Sequence, residues 1–199
     1  FGFPQWLTQK LIDEFGFDSA FHFMENSNCS APLFFIINQA HANGPQTLKS
    51  LVNQGIKIFP LPRIQQKDCG LSCFLFAQRS DVGNEFVIDL LRKGSLVISD
   101  GAAQKVASLA VPDCFPDRFL EIGAGRGTKS LLLQNVALSR FGKQMALDTL
   151  DVDQSRTKER ISRLKQADIV QNEVFCQDAT HLSHFSDATY DAVFIDAPC

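Results

Sequence analysis

The second half of the sequence alternates apolar segments of strand length with helical patterns, and this alternation limits the possible folds. Strands are predicted at "GSLVISDG", "DRFLEIG", "QMALDTLD", "NEVFCQDA" and "YDAVFIDAP". Helices between them are predicted at "AAQKVASLAV", "GTKSLLLQNVALSRFG" and "QSRTKERISRLKQAD". This repetition is typical of an α/β fold with a parallel, doubly wound sheet. Such sheets bind ligands at the carboxyl ends of their strands, so candidate site residues are expected directly after each strand.

The first half has a different pattern and predicts a small α+β lobe. Helices are predicted at "PQWLTQKLIDEFG" and "GPQTLKSLVNQG". Strands are predicted at "APLFFIIN", "IKIFPLP" and "LSCFLFAQ". We therefore predict two domains, an amino-terminal lobe of residues 1–97 and a domain of residues 98–199 that carries the alternating pattern.

Composition and charge are those of an ordinary globular protein. The chain has 199 residues, of which 45% are hydrophobic and 21% charged. No apolar run approaches the roughly 20 residues needed to cross a bilayer. The start of the chain lacks the basic flank and apolar block of a signal peptide, so we expect a cytoplasmic protein. The net charge of −3 still allows a local basic groove for nucleic acid.

Neither the histidines nor the cysteines have the spacing of a metal site. His181 and His184 lie three residues apart without further ligands nearby, and we interpret them as surface residues. The cysteines are scattered, which is typical of reduced thiols in a cytosolic protein. They are Cys29, Cys69, Cys73, Cys114, Cys176 and Cys199. No metal is predicted.

A glycine-rich loop follows the strand "DRFLEIG". The segment "FLEIGAGRGTKS" has the pattern acid-x-Gly-x-Gly-x-Gly, beginning at Glu121. Glycines tolerate a tight turn and let a ligand approach the backbone, and the next helix offers unpaired N–H groups. A plain turn between strand and helix would also fit. Because a strand and a helix flank the loop, we predict that it binds a cofactor through Gly123, Ala124, Gly125, Arg126, Gly127, Thr128 and Lys129.

Two kinds of nucleotide ligand fit this loop. "GAGRGTKS" differs at one position from the phosphate-binding pattern G-x-x-x-x-G-K-[ST], so an NTPase is a real alternative. Against it stand Thr128 in place of the last glycine, the acid Glu121, and Asp151 after the next strand. Asp151 is placed to accept both hydroxyls of a ribose. An adenosine ligand without a triphosphate fits better, and S-adenosylmethionine is the cofactor we predict.

Two more acids follow predicted strands. Asp178 in "VFCQDAT" is expected near an adenine amino group, and Asp196 in "FIDAPC" ends the last strand. Singly, such acids are more often helix caps or turn residues. Together with Asp151 they form a series at three strand ends after a glycine loop, which indicates a cofactor site.

Asp196-Ala197-Pro198-Cys199 forms an Asp-Ala-Pro-Cys element, and "LDVDQSR" contains Asp151 and Arg156 in an Asp-x-x-x-x-Arg segment. Through these two elements, and over nearly its whole length, the chain resembles the Sun-type RNA (cytosine-5)-methyltransferases, the family of the bacterial small-subunit rRNA enzymes. "GSLVISDGAAQKVA" resembles its Gln-Asp-x-Ser-Ser-Gln stretch, and "GTK" its Gly-Gly-Lys-Thr loop. "PQWLTQKLIDEFG" and "PLFFIIN" resemble the Pro-x-Trp-Leu helix and Arg-Ile-Asn strand of its small lobe.

Two segments depart from the family pattern. The loop has Gly125-Arg126-Gly127-Thr128 where the family usually has Ala-Pro-Gly-Gly, and Ile36-Ile37-Asn38 stands in place of Arg-Ile-Asn.

The resemblance implies a Rossmann-like S-adenosylmethionine-dependent methyltransferase sheet, an RNA-binding lobe, and methylation of carbon 5 of cytosine in RNA, with rRNA as the expected substrate. It assigns product release to Cys199 and contact with the base edge to Asp196. The family's attacking thiol belongs to a Thr-Cys element after Asp-Ala-Pro-Cys, so we expect this chain to be part of a longer protein. A non-enzymatic RNA-binding module and, for Cys199, a small buried thiol are the alternatives.

Overall fold

The computed structural model describes residues 2–41, 44–60, 73–181 and 189–197. The chain divides into two compact units, Phe1–Pro32 and Leu33–Cys199. Within the described residues, no helix is both long enough and apolar enough to cross a membrane.

The first unit is a pair of helices, α1 (Gln5–Phe15) and α2 (Phe17–Ser27). Gly16 joins them with a φ of 77°, a conformation that glycine adopts without steric cost. The Thr8 hydroxyl lies 3.7 Å from the sulfur of Met24, which is buried between the helices. The helical pattern predicted α1 but missed α2.

The second unit begins with a four-stranded antiparallel sheet. Its elements are β1 (Phe34–Ile37), α3 (Gly44–Asn53), β2 (Ile58–Pro60), β3 (Cys73–Phe76), a short 3-10 helix (Arg79–Gly83), α4 (Glu85–Arg92) and β4 (Leu96–Ile98). The strands lie in the order β2-β3-β1-β4, and each neighbouring pair is antiparallel. This βαββαβ arrangement is ferredoxin-like. The sequence predicted its first three strands and α3 but missed α4.

The position of β4 corrects the sequence analysis. We predicted "GSLVISDG" as the first strand of the parallel half, but β4 pairs antiparallel with β1, and Val97 lies opposite Ile36. The error arose because helix α4 was missed. This helix connects β3 to β4 and so allows β4 to return to the small sheet. The boundary predicted after residue 97 therefore falls within β4 and inside the second compact unit. As a division into functional domains, 1–97 and 98–199 stays a prediction.

Strand β1 of the small sheet is buried on both faces. Phe35 packs into a core with α3 and α4, whereas its neighbour Ile36 points to the opposite face and joins the core of the parallel sheet described below. Asn38, directly after β1, is also buried, and its Nδ2 donates to the carbonyls of Gly94 at 2.8 Å and Ala167 at 2.7 Å. The small sheet is therefore packed firmly against the rest of the second unit.

A parallel sheet follows, and it confirms the predicted α/β fold. Its elements are α5 (Gly101–Ala110), β5 (Arg118–Ile122), α6 (Thr128–Phe141), β6 (Ala146–Asp151), α7 (Gln154–Gln166), β7 (Val174–Cys176) and β8 (Ala192–Ile195). The strand order is β7-β6-β5-β8, with every pair parallel. The chain runs outward from β5 to β7 and then returns to place β8 on the other side of β5. The order therefore switches between β5 and β8, where ligands bind in such sheets.

A hydrogen-bonded cluster holds the start of β8 against the sheet. The buried carboxylate of Asp148, on β6, accepts hydrogen bonds from the Tyr190 hydroxyl at 2.8 Å and from Arg118 at 2.7 Å. The Arg118 guanidinium also lies 4.9 Å from the centre of the Tyr190 ring. Because Tyr190 lies two residues before β8 and Arg118 begins β5, these contacts favour the register in which β8 delivers Asp196 to the opposite end of the sheet.

Candidate functional site

A cavity of about 520 Å³ lies at the carboxyl ends of the parallel strands. Its volume falls within the usual range for small-molecule sites. Among the described residues, it is lined by Ile122, Gly123, Gly125, Leu150, Asp151, Val152, Arg156, Asp178, Ala179, Asp196 and Ala197. The structure thus brings together five residues of the predicted cofactor site: Gly123, Gly125, Asp151, Asp178 and Asp196.

The glycine loop packs against the ends of the neighbouring strands. The amides of Gly123 and Ala124 donate to the carbonyl of Leu150 at 2.8 and 3.1 Å. Gly123 has a φ of 80°, and a β-carbon there would lie 2.4 Å from the carbonyl oxygen of Asp196. The loop therefore requires glycine at this position, and it touches the backbone of the residue that follows β8.

The buried Asp151 carboxylate faces the loop. Its Oδ2 accepts the Gly125 amide at 2.7 Å, and its Oδ1 accepts the Asp153 amide at 2.8 Å. A phosphate-binding loop would present such an amide to its anionic ligand, but here a carboxylate occupies it. Asp178 and Asp196 add two more acids to the cavity wall. This electrostatic environment disfavours a triphosphate and suits ribose hydroxyls or a cationic group.

Asp196 is tied to the helix that follows the glycine loop. Its Oδ2 accepts a hydrogen bond from Nζ of Lys129 at 2.5 Å, and both side chains are partly exposed. The Asp196 amide donates to the carbonyl of Ile122 at 2.9 Å. Lys129 does not line the cavity itself, but it can orient the carboxylate of Asp196 toward whatever the cavity holds.

Asp178 lies in the turn after β7. Its Oδ1 accepts hydrogen bonds from the amide of Thr180 at 2.8 Å and from the Thr180 hydroxyl at 2.7 Å. The Thr180 amide, followed by the hydroxyl, lowers the pKa of Asp178. The carboxylate is therefore ionised at neutral pH and able to accept a hydrogen bond from an amino group.

Glu121 lies beneath the loop rather than in the cavity wall. The side chain is fully buried, its Oε2 accepts the hydroxyl of Ser130 at 2.5 Å, and its Oε1 has no hydrogen-bond partner among the described residues. Burial raises the pKa of Glu121 to about 7, although the Ser130 hydroxyl and Arg160 favour the charged form. Glu121 is therefore poised between its two protonation states near neutral pH.

This raised pKa predicts a specific pH dependence of stability. Because the protonated form is favoured in the folded state, the contribution of Glu121 is fully present below pH 4.5 and is lost as the pH rises through about 7. The shift corresponds to about 3 kcal/mol. Glu121→Gln cannot ionise, so its free energy of unfolding relative to the parent should rise between these pH values and then level off. Urea unfolding at a series of pH values measures this difference, and parallel curves would contradict the assignment.

Several predicted loop residues have partners outside the cavity. Arg126 pairs with Glu159 at 2.6 Å, and the Thr128 hydroxyl accepts a hydrogen bond from Arg163 at 2.9 Å. Neither side chain is among those that line the cavity. Ala124 is buried and Gly127 packs against α7. For these four residues, any cofactor contact stays a prediction.

Some residues considered in the sequence analysis fall outside the ranges that the structure describes. Pro198, Cys199 and His184 are not among the described residues. Within the described ranges, no group of three or more His, Cys, Asp or Glu side chains could hold a metal ion.

The sequence analysis missed part of the cavity wall and its support. The wall includes the apolar residues Ile122, Leu150 and Val152. Their position at or next to the ends of predicted strands could have identified them as part of the wall. Arg160 was also missed. It lies fully buried under the loop, and an arginine on an amphipathic helix is ordinarily interpreted as exposed.

The strand order, the glycine loop and the acids at the strand ends define a Rossmann-like methyltransferase fold, and solved structures confirm it. A methyltransferase homolog protein from Pyrococcus horikoshii has a TM-score of 0.74, with 16% identity over 100% of this chain and 60% of that chain. NSun6 from Pyrococcus horikoshii, solved with SFG, has a TM-score of 0.72, with 12% identity over 98% of this chain and 71% of that chain.

Sequence comparisons show which proteins of this class the chain resembles. The family model "Methyltr_RsmF/B-like, ferredoxin-like domain" matches residues 3–67, which include part of the small antiparallel sheet. Ribosomal RNA small subunit methyltransferase B from Xylella fastidiosa (strain Temecula1) is 26% identical over 98% of this chain and 42% of that protein. The chain thus spans less than half the length of the curated relatives it matches. These similarities agree with the predicted resemblance to the Sun-type RNA methyltransferases.

Proposed function

We propose that this protein transfers a methyl group from S-adenosylmethionine to carbon 5 of cytosine in RNA, through a covalent cysteine adduct. One observation carries the proposal: the glycine loop and the Asp196 element abut each other at the switch point of the parallel sheet. A methyl donor bound by the loop and a base bound by Asp196 would therefore lie next to each other at the carboxyl ends of the parallel strands. The similarity to an rRNA methyltransferase favours rRNA as the substrate.

The polar groups that line the cavity suit S-adenosylmethionine. Asp151 can accept ribose hydroxyls through its remaining lone pairs, and Asp178 can accept the adenine amino group. The wall carries three carboxylates, Asp151, Asp178 and Asp196, which attract a sulfonium cation and repel a polyphosphate. When bound, the cofactor would supply an electrophilic methyl group.

The chemistry of cytosine explains why a thiol is needed. Carbon 5 is a poor nucleophile, and addition of a thiolate to carbon 6 would convert the ring to an enamine with a nucleophilic carbon 5. Carbon 5 could then take the methyl group, while the methyl–sulfur bond breaks and the sulfonium leaves as the neutral thioether S-adenosylhomocysteine. A base then removes the carbon 5 proton, and the thiolate leaves to restore the double bond. We propose that Asp196, oriented by Lys129, holds the base edge during these steps, and that Cys199 assists elimination. The attacking thiol would come from the family's Thr-Cys element.

RNA recognition by the small lobe is part of the same proposal. The ferredoxin-like sheet packs against the parallel sheet, as the buried contacts of Asn38 show. RNA bound there would therefore be held in a defined orientation relative to the cavity. The cytosine to be methylated must be unstacked from its neighbours before its carbon 5 can reach the reacting groups.

The activity itself is tested with tritiated S-adenosylmethionine and in vitro transcripts. We expect the full-length protein to label an rRNA transcript that contains cytidine. It should not label the same transcript made with 5-methylcytidine, in which carbon 5 is blocked. Label in both transcripts would place the methyl group at another atom. Cofactor and RNA binding without label in either would favour the non-enzymatic RNA-binding module.

Asp151→Ala is expected to weaken S-adenosylmethionine binding by about 1.5–3 kcal/mol, the scale of hydrogen bonds to a charged group. The substitution removes the carboxylate that is placed to bind the ribose and that holds the Gly125 amide. Isothermal titration calorimetry measures the effect. Asp89→Ala, on helix α4 and outside the cavity lining, is a control that should bind like the parent. Saturable binding of ATP without binding of S-adenosylmethionine would instead support the NTPase alternative.

A further inference from the structure

Gly125 is held from two sides by residues of different elements. Its amide donates to Asp151 at the end of β6, at 2.7 Å, and its carbonyl accepts a hydrogen bond from Nη1 of Arg160 on α7, at 2.9 Å. Gly125 has a φ of 52°, a left-handed conformation. Both polar groups of this backbone residue are therefore fixed by partners outside the loop.

The stem of Arg160 also supports the loop from below. A β-carbon at Gly127, whose φ is 81°, would lie 2.8 Å from Cγ of Arg160 and 3.2 Å from Cγ of Leu164. The loop thus rests directly on the aliphatic part of the arginine. One side chain contacts two of its three glycines.

Arg160 occupies an unusual environment for a cation. The side chain is fully buried, its Nε has no hydrogen-bond partner among the described residues, and none of their ion pairs includes it. Burial lowers the pKa of Arg160, and the charges of Glu121 and Asp151 oppose this effect. A buried charge without a direct ion pair costs stability, and an apolar side chain of similar volume is often neutral or stabilising in its place. Packing alone does not explain an arginine here.

We propose that Arg160 is a positioning residue for cofactor binding: by holding the Gly125 carbonyl, it keeps the Gly125 amide on Asp151 and the Asp151 carboxylate toward the ribose. This inference rests on the proposed function, since it concerns the same cavity. Arg160 lies outside the cavity lining and acts through Gly125 and Asp151. The loop is then already arranged before the cofactor enters, which lowers the ordering cost of binding.

Arg160→Met tests the proposal because methionine keeps the stem beneath Gly127 and removes the guanidinium. We expect the Kd and KM for S-adenosylmethionine to rise about tenfold, the scale of one charged hydrogen bond. The kcat at saturating cofactor should stay close to the parent value, and the melting temperature without cofactor should be unchanged or higher.

Arg140→Met is the matched control. Arg140 also donates to backbone carbonyls, those of Ser108 and Val111, both at 2.6 Å, and these groups do not line the cavity. The control should lower the melting temperature and leave the Kd unchanged.

The outcomes separate the alternatives. A lower melting temperature with an unchanged Kd in Arg160→Met would overturn the proposal and make the role structural. If this variant fails to fold, Glu121→Gln combined with Arg160→Met removes the opposing buried charge, and the same rise in Kd relative to Glu121→Gln alone is expected. An unchanged Kd in that pair would also overturn the proposal. Failure of the parent protein to bind S-adenosylmethionine would count against the proposed function itself.

Discussion

Replacing Gly123 with alanine is expected to abolish measurable binding of S-adenosylmethionine. The new β-carbon would lie 2.4 Å from the carbonyl oxygen and 3.0 Å from the carbonyl carbon of Asp196. The Asp196 backbone cannot move aside freely, because its amide donates a hydrogen bond to the carbonyl of Ile122 at 2.9 Å. The loop and the end of β8 must therefore separate, and the cavity between them loses its shape. Calorimetric titration of the purified variant measures the loss.

Gly142→Ala separates this clash from the cost of backbone strain. Gly142 caps α6 with a φ of 71°, close to the 80° of Gly123, but a β-carbon there meets no atom within 4 Å. Both variants pay about 1–2 kcal/mol for a left-handed alanine, visible as a lower melting temperature. Gly142→Ala should nevertheless bind S-adenosylmethionine like the parent protein. If Gly123→Ala bound equally well, the contact between loop and Asp196 would be irrelevant to the cofactor.

The sequence predicted the parts of the site that follow from sheet geometry. Asp151, Asp178 and Asp196 lie at the ends of apolar runs or within two residues of them, and the carboxyl ends of parallel strands meet at one edge. Local pattern was therefore sufficient to place these three acids around one cavity. The glycine spacing predicted the loop in the same way, because a turn with positive φ between strand and helix favours glycine.

Features that depend on tertiary contacts were not predictable in this way. β4 is an apolar run like those of the parallel sheet, and only its pairing with β1 assigns it to the small one. Arg160 is one of several cations in α7, and the loop group that it holds, the Gly125 carbonyl, lies 35 residues earlier in the chain. A signal was present, since Thr157, Arg160 and Leu164 form the buried stripe at helical spacing. The stripe was not recognised because it includes a charged residue, Arg160, which is ordinarily assigned to the exposed face of a helix.

Under the proposed function, Cys199→Ala in the full-length protein is expected to trap the RNA. The family resemblance assigns attack on carbon 6 to the Thr-Cys cysteine, so the variant should still form the covalent adduct and transfer the methyl group. Elimination then requires removal of the carbon 5 proton, and we propose that Cys199 assists this step. Loss of its thiol should therefore leave the adduct in place and reduce multiple turnover to a single one.

Denaturing gels with labelled RNA distinguish the two possible roles of this thiol. We expect a protein–RNA band that persists in Cys199→Ala and is transient in the parent protein. If Cys199 were the nucleophile, as the Pro-Cys cysteine is in DNA cytosine methyltransferases, the same substitution would remove the band altogether. Cys176→Ala, at an exposed thiol on β7, is the control and should behave like the parent. Because the two roles predict opposite changes in one band, this experiment decides whether the Cys199 thiol attacks carbon 6 or assists elimination.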